Sequence, residues 1–232
     1  MRRVWRVGAG FPGWSSAPCF PKRPLWLGAL GPLTLGGVFL RGRRRQALFA
    51  ALLEARASRR EGLAAWELLD LLYPGQDEER AFGALRELVF VLRQQFGYAV
   101  LERRGPLYTL GCQVVSDLEL FLKSPRVWLW RGRYLDGLAT DEALWSRVYR
   151  LARDAARSCL SKEPEECFRL ASLLAAEEPY DPALLVLMLE SLSALAEDGL
   201  LRKVYGHARD RFSEVGLTLP QDPAGFLKAW GL

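Results

Sequence analysis

The side chains best suited to chemistry in this 232-residue chain are arginines, placed where anions could be gripped. Arg43, Arg44 and Arg45 open one apolar-periodic stretch, Arg86, Arg93 and Gln94 lie along another, and Arg103 and Arg104 precede Gly105-Pro106 in a short turn. Guanidinium groups form bidentate hydrogen bonds with phosphate oxygens and guanine edges, glutamine pairs with adenine, and a ring such as Phe90 can rest on a thymine methyl. Bond-making chemistry has no comparable support. His207 is the sole histidine, and Cys19, Cys112, Cys159 and Cys167 contain no CxxC pair or metal-type spacing. Gly31-Pro-Leu-Thr-Leu-Gly-Gly37 lacks the Gly-Lys-Ser/Thr of a phosphate-binding loop. The neighbouring carboxylates Glu165-Glu166 and Glu177-Glu178 point apart on a helix and read as solvated charge. The expectation is a non-enzyme that uses no metal and no cofactor.

The elements that must position these arginines centre on Asp77 to Leu110. Asp77-Glu78-Glu79 makes an acidic first turn, which favours a helix N-terminus. Phe82, Leu85, Leu88, Val89, Leu92 and Phe96 then recur at steps of three and four and predict one buried helix face, closing at Gly97. The opposite face holds Gly83, Glu87, Phe90, Val91 and Gln94, with Arg86 and Arg93 on its flank. Ala99-Val-Leu101 and Leu107-Tyr-Thr-Leu110 read as two strands joined by Glu102 to Pro106, with Gly105 free to take a positive φ. A helix feeding an Arg-tipped hairpin is the layout of a winged helix, whose helix enters the major groove and whose wing touches phosphates.

Upstream, residues 1–24 carry Arg2, Arg3, Arg6, Lys22 and Arg23 among Gly, Pro and Ser without a period, and read as a flexible basic arm. Leu25 to Leu40 is apolar but is cut by Gly28, Gly31, Pro32, Gly36 and Gly37, so short strands are expected rather than a membrane span. Arg41 to Arg45 opens a helix that turns Leu48, Leu52 and Leu53 inward, and Trp66, Leu68, Leu69, Leu71 and Leu72 form a second, stopped by Pro74-Gly75. The formal charge of +5 is unevenly placed: residues 1–60 hold twelve of the 32 Lys and Arg against Glu54 alone. A basic surface early in the chain suits an anionic partner. The cysteine pattern suits a reducing, cytoplasmic setting, and no membrane association is expected.

Beyond Gly111 the pattern becomes purely helical. Leu144, Val148, Leu151 and Ala155 form one stripe; Cys167, Leu170, Leu173 and Leu174 a second; Leu184, Leu187, Met188 and Leu192 a third; Val204, Ala208 and Phe212 a fourth. Asp181-Pro182 predicts an N-cap followed by proline at the first helical position, and Gly199 a break between the last two helices. Such pairs bury their faces by stacking as tetratricopeptide-like units. Trp128, Trp130, Trp145 and Tyr149 are expected to pack the junction between the halves. The predicted organisation is mainly α: a basic arm over 1–24, a winged helix over 25–111 and a helical unit over 112–232.

Several segments, in order, resemble a known family. Leu27 to Leu33, Arg43 to Leu53, Trp66 to Pro74, Ala84 to Arg93 and Gly105 to Leu110 are similar to the response-regulator-type winged helix of SARP-type bacterial antibiotic regulatory proteins. Ser116 to Phe121, Leu129 to Leu138, Glu178 to Pro182 and Val215 to Pro220 look like landmarks of that family's bacterial transcriptional activator domain. The resemblance spans about residues 25–223. It implies a transcriptional activator that docks on double-stranded promoter DNA and contacts RNA polymerase or another transcription protein; the oligomeric state stays open, a homodimer included. The implied DNA-contacting residues are Arg43, Arg44, Arg45, Arg86, Phe90, Arg93, Gln94, Arg103 and Arg104. Phe90 and Val91 stand where the family more often has polar or basic residues, and Glu87 would repel phosphate, so a protein-interaction module on the same fold is the alternative.

Overall fold

A computed structural model describes residues 24–231. The basic arm expected over 1–24 lies, apart from Pro24, outside the described residues.

Three short strands start the fold, β1 (Leu25–Gly28), β2 (Thr34–Leu35) and β3 (Val38–Phe39), paired antiparallel with Leu27 opposite Leu35 and Leu35 opposite Val38. The β2–β3 turn needs positive φ at both central positions, and Gly36 and Gly37 supply φ of 59° and 80°. Helices α1 (Arg43–Ala57), α2 (Ala65–Leu72) and α3 (Glu78–Phe96) follow. Strands β5 (Leu101–Arg104) and β6 (Leu107–Leu110) form the hairpin, and the two-residue strand β4 (Leu63–Ala64) joins it in the order β4-β6-β5. Strand β7 (Val114–Ser116) then returns to lie parallel to β1, with Leu25 opposite Val114. Helices α4 (Asp117–Lys123), α5 (Glu142–Cys159), α6 (Pro164–Ala175), α7 (Pro182–Ala194), α8 (Asp198–Glu214) and α9 (Pro223–Trp230) complete a mainly α chain, a winged helix followed by stacked helices.

The expected boundary between residues 111 and 112 runs through this packing. The sheet order β3-β2-β1-β7 joins strands from both sides of it, and one apolar core extends from Leu27 and Leu48 through Leu85 and Phe121 to Leu144 and Leu187. A second, smaller core gathers Leu185, Leu189, Tyr205, Phe212 and Phe226 from α7, α8 and α9. Asp117, 1% exposed, joins the two sides: its carboxylate accepts from Ala29 N (2.7 Å), Leu30 N (3.3 Å), Leu118 N (2.8 Å) and Arg131 Nη2 (2.5 Å). Burial pushes its pKa up, while the Ala29 N–H and the Arg131 guanidinium pull it back.

A second polar link sits on α1. Glu54, 2% exposed, accepts the backbone N–H (2.9 Å) and hydroxyl (2.6 Å) of Thr140, and burial raises its carboxyl above the ordinary value. The buried Tyr134 phenol is likewise raised, first by burial and then by the Glu54 charge.

Aromatic packing at the junction follows expectation for Trp130, Trp145 and Tyr149. Trp130 stands edge-on to Phe121 with centroids 5.6 Å apart, Tyr134 stacks on Trp145 at 5.0 Å, and Trp145 adjoins Tyr149 at 5.6 Å. Trp128 departs from it: the short 3-10 turn Val127–Leu129 buries Leu129 and leaves Trp128 67% exposed. Trp66, at the start of α2, is also exposed, because Leu68, Leu69 and Leu72 occupy the inner face.

Three further local readings change. Ala99 and Val100 belong to a 3-10 turn rather than a strand, Val100 N returning to Gly97 O at 3.1 Å. The break before α8 is made at Ala196, not at Gly199, which lies inside α8. Ala196 takes φ 56° while its N–H bonds Ser193 O and Glu197 N bonds Leu192 O, the paired bonds of a Schellman stop. Glu177 and Glu178 are structural acceptors rather than merely solvated. Glu177 takes Arg133 Nε (3.1 Å) and Tyr134 N (3.0 Å), and Glu178 takes Trp145 Nε1 (3.3 Å).

Candidate nucleic-acid interface

Helix α3 is set by its ends as well as its stripe. The Asp77 side chain caps it by accepting from Arg80 N (3.1 Å), and Gly97, at φ 94°, turns the chain away. Ala81, Leu85, Val89 and Leu92 are buried, and Phe82, Leu88 and Phe96 half-buried. The opposite side leaves Gly83, Arg86, Glu87, Phe90 and Gln94 exposed, with Phe90 at 55%. Val91, expected on that open side, is half-buried.

The arginines fall into two groups once their partners are seen. Arg93 uses Nε (3.0 Å) and Nη2 (2.8 Å) on Leu101 O, clamping the end of α3 to the first hairpin strand. Arg86 has no hydrogen bond or ion pair among the described residues and points from the open side of α3. Gln94 donates to Tyr98 Oη at 3.2 Å, so an exposed tyrosine that the spacing did not single out adjoins this surface. Its signal was the aromatic directly after the Gly97 stop.

The hairpin tip is built as its composition suggests. Arg104 pairs with Leu107 across the turn, and Gly105 takes φ 59°. Arg103 bonds Gly105 O through Nε at 3.1 Å and lies over the Tyr108 ring, 5.8 Å from its centroid. Arg104 reaches Glu102 at 3.1 Å. Both arginines are exposed, so these contacts pre-orient the guanidinium groups at modest energetic worth, about 0–1 kcal/mol for a surface pair.

At the start of α1, Arg45 Nη1 contacts Gln95 Oε1 at 3.5 Å, which places this end of α1 beside the end of α3. Arg44 lies 4.7 Å over the Tyr73 ring, whose phenol is raised by burial and by Glu87 and lowered by Arg44. Arg43 and Arg44 also line an open cavity of about 480 Å³ with Leu71, Leu72 and Gly137 to Thr140. The fold thus brings Arg45 to α3 and Arg44 to Tyr73, gives Arg93 a positioning task, and leaves Arg43, Arg86, Arg103 and Arg104 presented to solvent. Among the described residues, no group of three or more His, Cys, Asp or Glu side chains is placed to hold a metal ion, and no helix is long and apolar enough to cross a membrane.

No family model matches the chain, and no curated protein does. Among solved structures it is similar to Mycobacterium tuberculosis EmbR, determined in complex with a low-affinity phosphopeptide. The TM-score is 0.53 at 18% identity, over 91% of this chain and 67% of that chain. At that identity the likeness is one of fold: a winged helix followed by a helical unit.

Proposed function

We propose that the chain is a DNA-binding transcriptional regulator, an activator that docks α3 and the β5–β6 wing on promoter DNA and contacts RNA polymerase or another transcription protein through its helical half. The observation that carries this reading is the open side of α3 followed directly by an exposed, Arg-tipped hairpin, in a fold similar to that of EmbR. Arg43, Arg86, Arg103 and Arg104 serve as phosphate contacts, Arg45 adds to them from the first turn of α1, and Phe90 and Gln94 face base edges. The exposed arginines supply charge where the acidic first turn of α3 cannot.

A second reading, an interaction module on the same fold, draws on the exposure of Phe90. It is the weaker of the two, because Val91, the other half of the apolar pair, is half-buried and leaves Phe90 without its expected aliphatic partner. Titration of the full chain with duplex DNA across a salt series separates the readings. A log affinity that falls linearly with log salt supports the regulator, and no binding at low salt overturns it.

A further inference from the structure

Helix α3 carries an exposed stripe whose side chains make few contacts among the described residues. Gly83, Glu87, Phe90 and Gln94 follow one another at steps of four, three and four residues, and all are exposed. Gly83 is interior to the helix, and among the described residues no heavy atom beyond its own helix turns and chain neighbours lies within 4 Å of where a Cβ would stand. An interior glycine weakens a helix relative to alanine, and nothing among the described residues around this one requires it. What the missing side chain offers is close approach of the backbone by another molecule. Among the described residues Phe90 has no ring partner and the Glu87 side chain has no hydrogen bond or ion pair, its charge reaching only the Tyr73 phenol.

A carboxylate is repelled by phosphates, so Glu87 cannot contribute to general DNA affinity. Of the amino donors on base edges, cytosine N4 suits it best, because adenine N6 stands beside the N7 acceptor, which repels a carboxylate; the thymine C5-methyl likewise suits the Phe90 ring. The two residues are three apart, about 4.5 Å along the helix axis, close to the ~3.4 Å spacing of stacked bases. We infer that α3 discriminates base pairs through Glu87 and Phe90: the carboxylate accepts a hydrogen bond from a cytosine amino group, the ring covers the methyl of a neighbouring thymine, and Gly83 lets the helix seat deeply enough for both. This rests on the reading of the chain as a duplex-DNA binder, and it makes the apolar and acidic departures on α3 the source of sequence choice.

The test uses the full chain and a random duplex pool. Selected duplexes are resynthesised with each thymine replaced singly by deoxyuridine, which removes only the methyl. One such replacement is expected to weaken binding by the parent about tenfold, while Phe90→Ala binds the thymine and uracil duplexes alike. Glu87→Ala is expected to lose the preference for one cytosine and to bind unselected duplex more tightly, since a repelling charge is gone. Gly83→Ala is expected to melt higher yet bind the selected duplex more weakly. All three positions are exposed, and circular dichroism checks that the variants fold. Equal affinity of the parent for thymine and uracil duplexes, or an unchanged selected motif with Phe90→Ala and Glu87→Ala, overturns the inference and leaves the regulator reading standing. Absence of any salt-dependent duplex binding overturns both.

Discussion

Asp117 accepts the backbone N–H of Ala29 at 2.7 Å across 88 residues of sequence, so the first turn of α4 completes the hydrogen bonding of the segment after β1. The same carboxylate takes Leu30 N and the Arg131 guanidinium, which makes it an acceptor shared by both halves of the chain. Asp117→Ala therefore removes the acceptor of three backbone donors, Ala29, Leu30 and Leu118 N, and of one arginine. Loss of about 3 kcal/mol in urea unfolding is expected, the cost of buried donors left without partners. A loss below about 0.5 kcal/mol, the range of an ordinary surface change, would show that water replaces the carboxylate.

Glu54 gives a pH-dependent counterpart. Burial raises its folded-state pKa above 4.5, and the Thr140 bonds offset this only in part. A carboxyl raised on folding contributes stability that is full below its unfolded pKa and is lost as pH rises through the folded one. The parent thus loses stability on this account from pH 4.5 upward, whereas Glu54→Gln keeps an acceptor for Thr140 and carries no charge to bury. The difference in melting temperature, variant minus parent, should increase with pH from 4.5 towards neutrality. Comparing the two proteins cancels the contribution of Asp117, which is raised as well. A difference that is flat with pH would place the Glu54 carboxyl at its ordinary value.

The helices of both halves were legible because their stripes are long and their stops chemically explicit: Asp77 and Gly97 bound α3, and Asp181 caps α7 through Ala183 N as its Asp-Pro pair suggests. What escaped was made by contacts between distant residues. Strand β4 is two residues long and exists only because Leu63 and Ala64 pair with Tyr108 and Leu107, and β7 is defined by β1 some 90 residues earlier. Strands this short carry no period of their own. The stop at Ala196 escaped for another reason, since a non-glycine residue holds the left-handed position that glycine signals elsewhere. At the candidate interface the arginines were visible as types, but their division was not. That Arg93 is bound to Leu101 O while Arg86 is unpartnered among the described residues depends on where the hairpin folds back.

That division predicts opposite behaviour for two arginines on one helix. Arg93→Ala removes two bonds to the carbonyl of buried Leu101 and should lower stability by about 1–2 kcal/mol, leaving the salt dependence of DNA binding unchanged. Arg86→Ala should leave the melting temperature unchanged and make the slope of log affinity against log salt shallower by about one. Equal effects of both on the slope would return Arg93 to the set of phosphate contacts.

The packing across residues 111 and 112 predicts how a fragment behaves. Residues 112–232 keep α4 to α9 and their stripes, and should give a helical circular-dichroism spectrum with no DNA binding. The fragment loses the pairing of β7 with β1, the Ala29 and Leu30 donors of Asp117, and the contact of α1 with Thr140. Its melting temperature should fall below that of the full chain. A fragment as stable as the parent would mean that these links join two independently stable units.

The wing supplies the last expectation. Arg103 and Arg104 are exposed, held over Tyr108 and beside Glu102, and lie at a hairpin tip fixed by Gly105. Contacts from such a tip to phosphates carry no base information, so Arg103→Ala with Arg104→Ala should weaken binding to all duplexes alike. With two phosphate contacts gone, the slope of log affinity against log salt should fall by about two, near 0.9 for each contact on B-form DNA. The selected motif should stay the same, because the residues proposed to choose it, Glu87 and Phe90, are on α3. Losing the pairing of Arg104 with Glu102 costs little stability, so the double variant should melt close to the parent. If it binds as the parent does at every salt concentration, the wing does not touch the backbone, and the phosphate contacts belong to α1 and α3 alone.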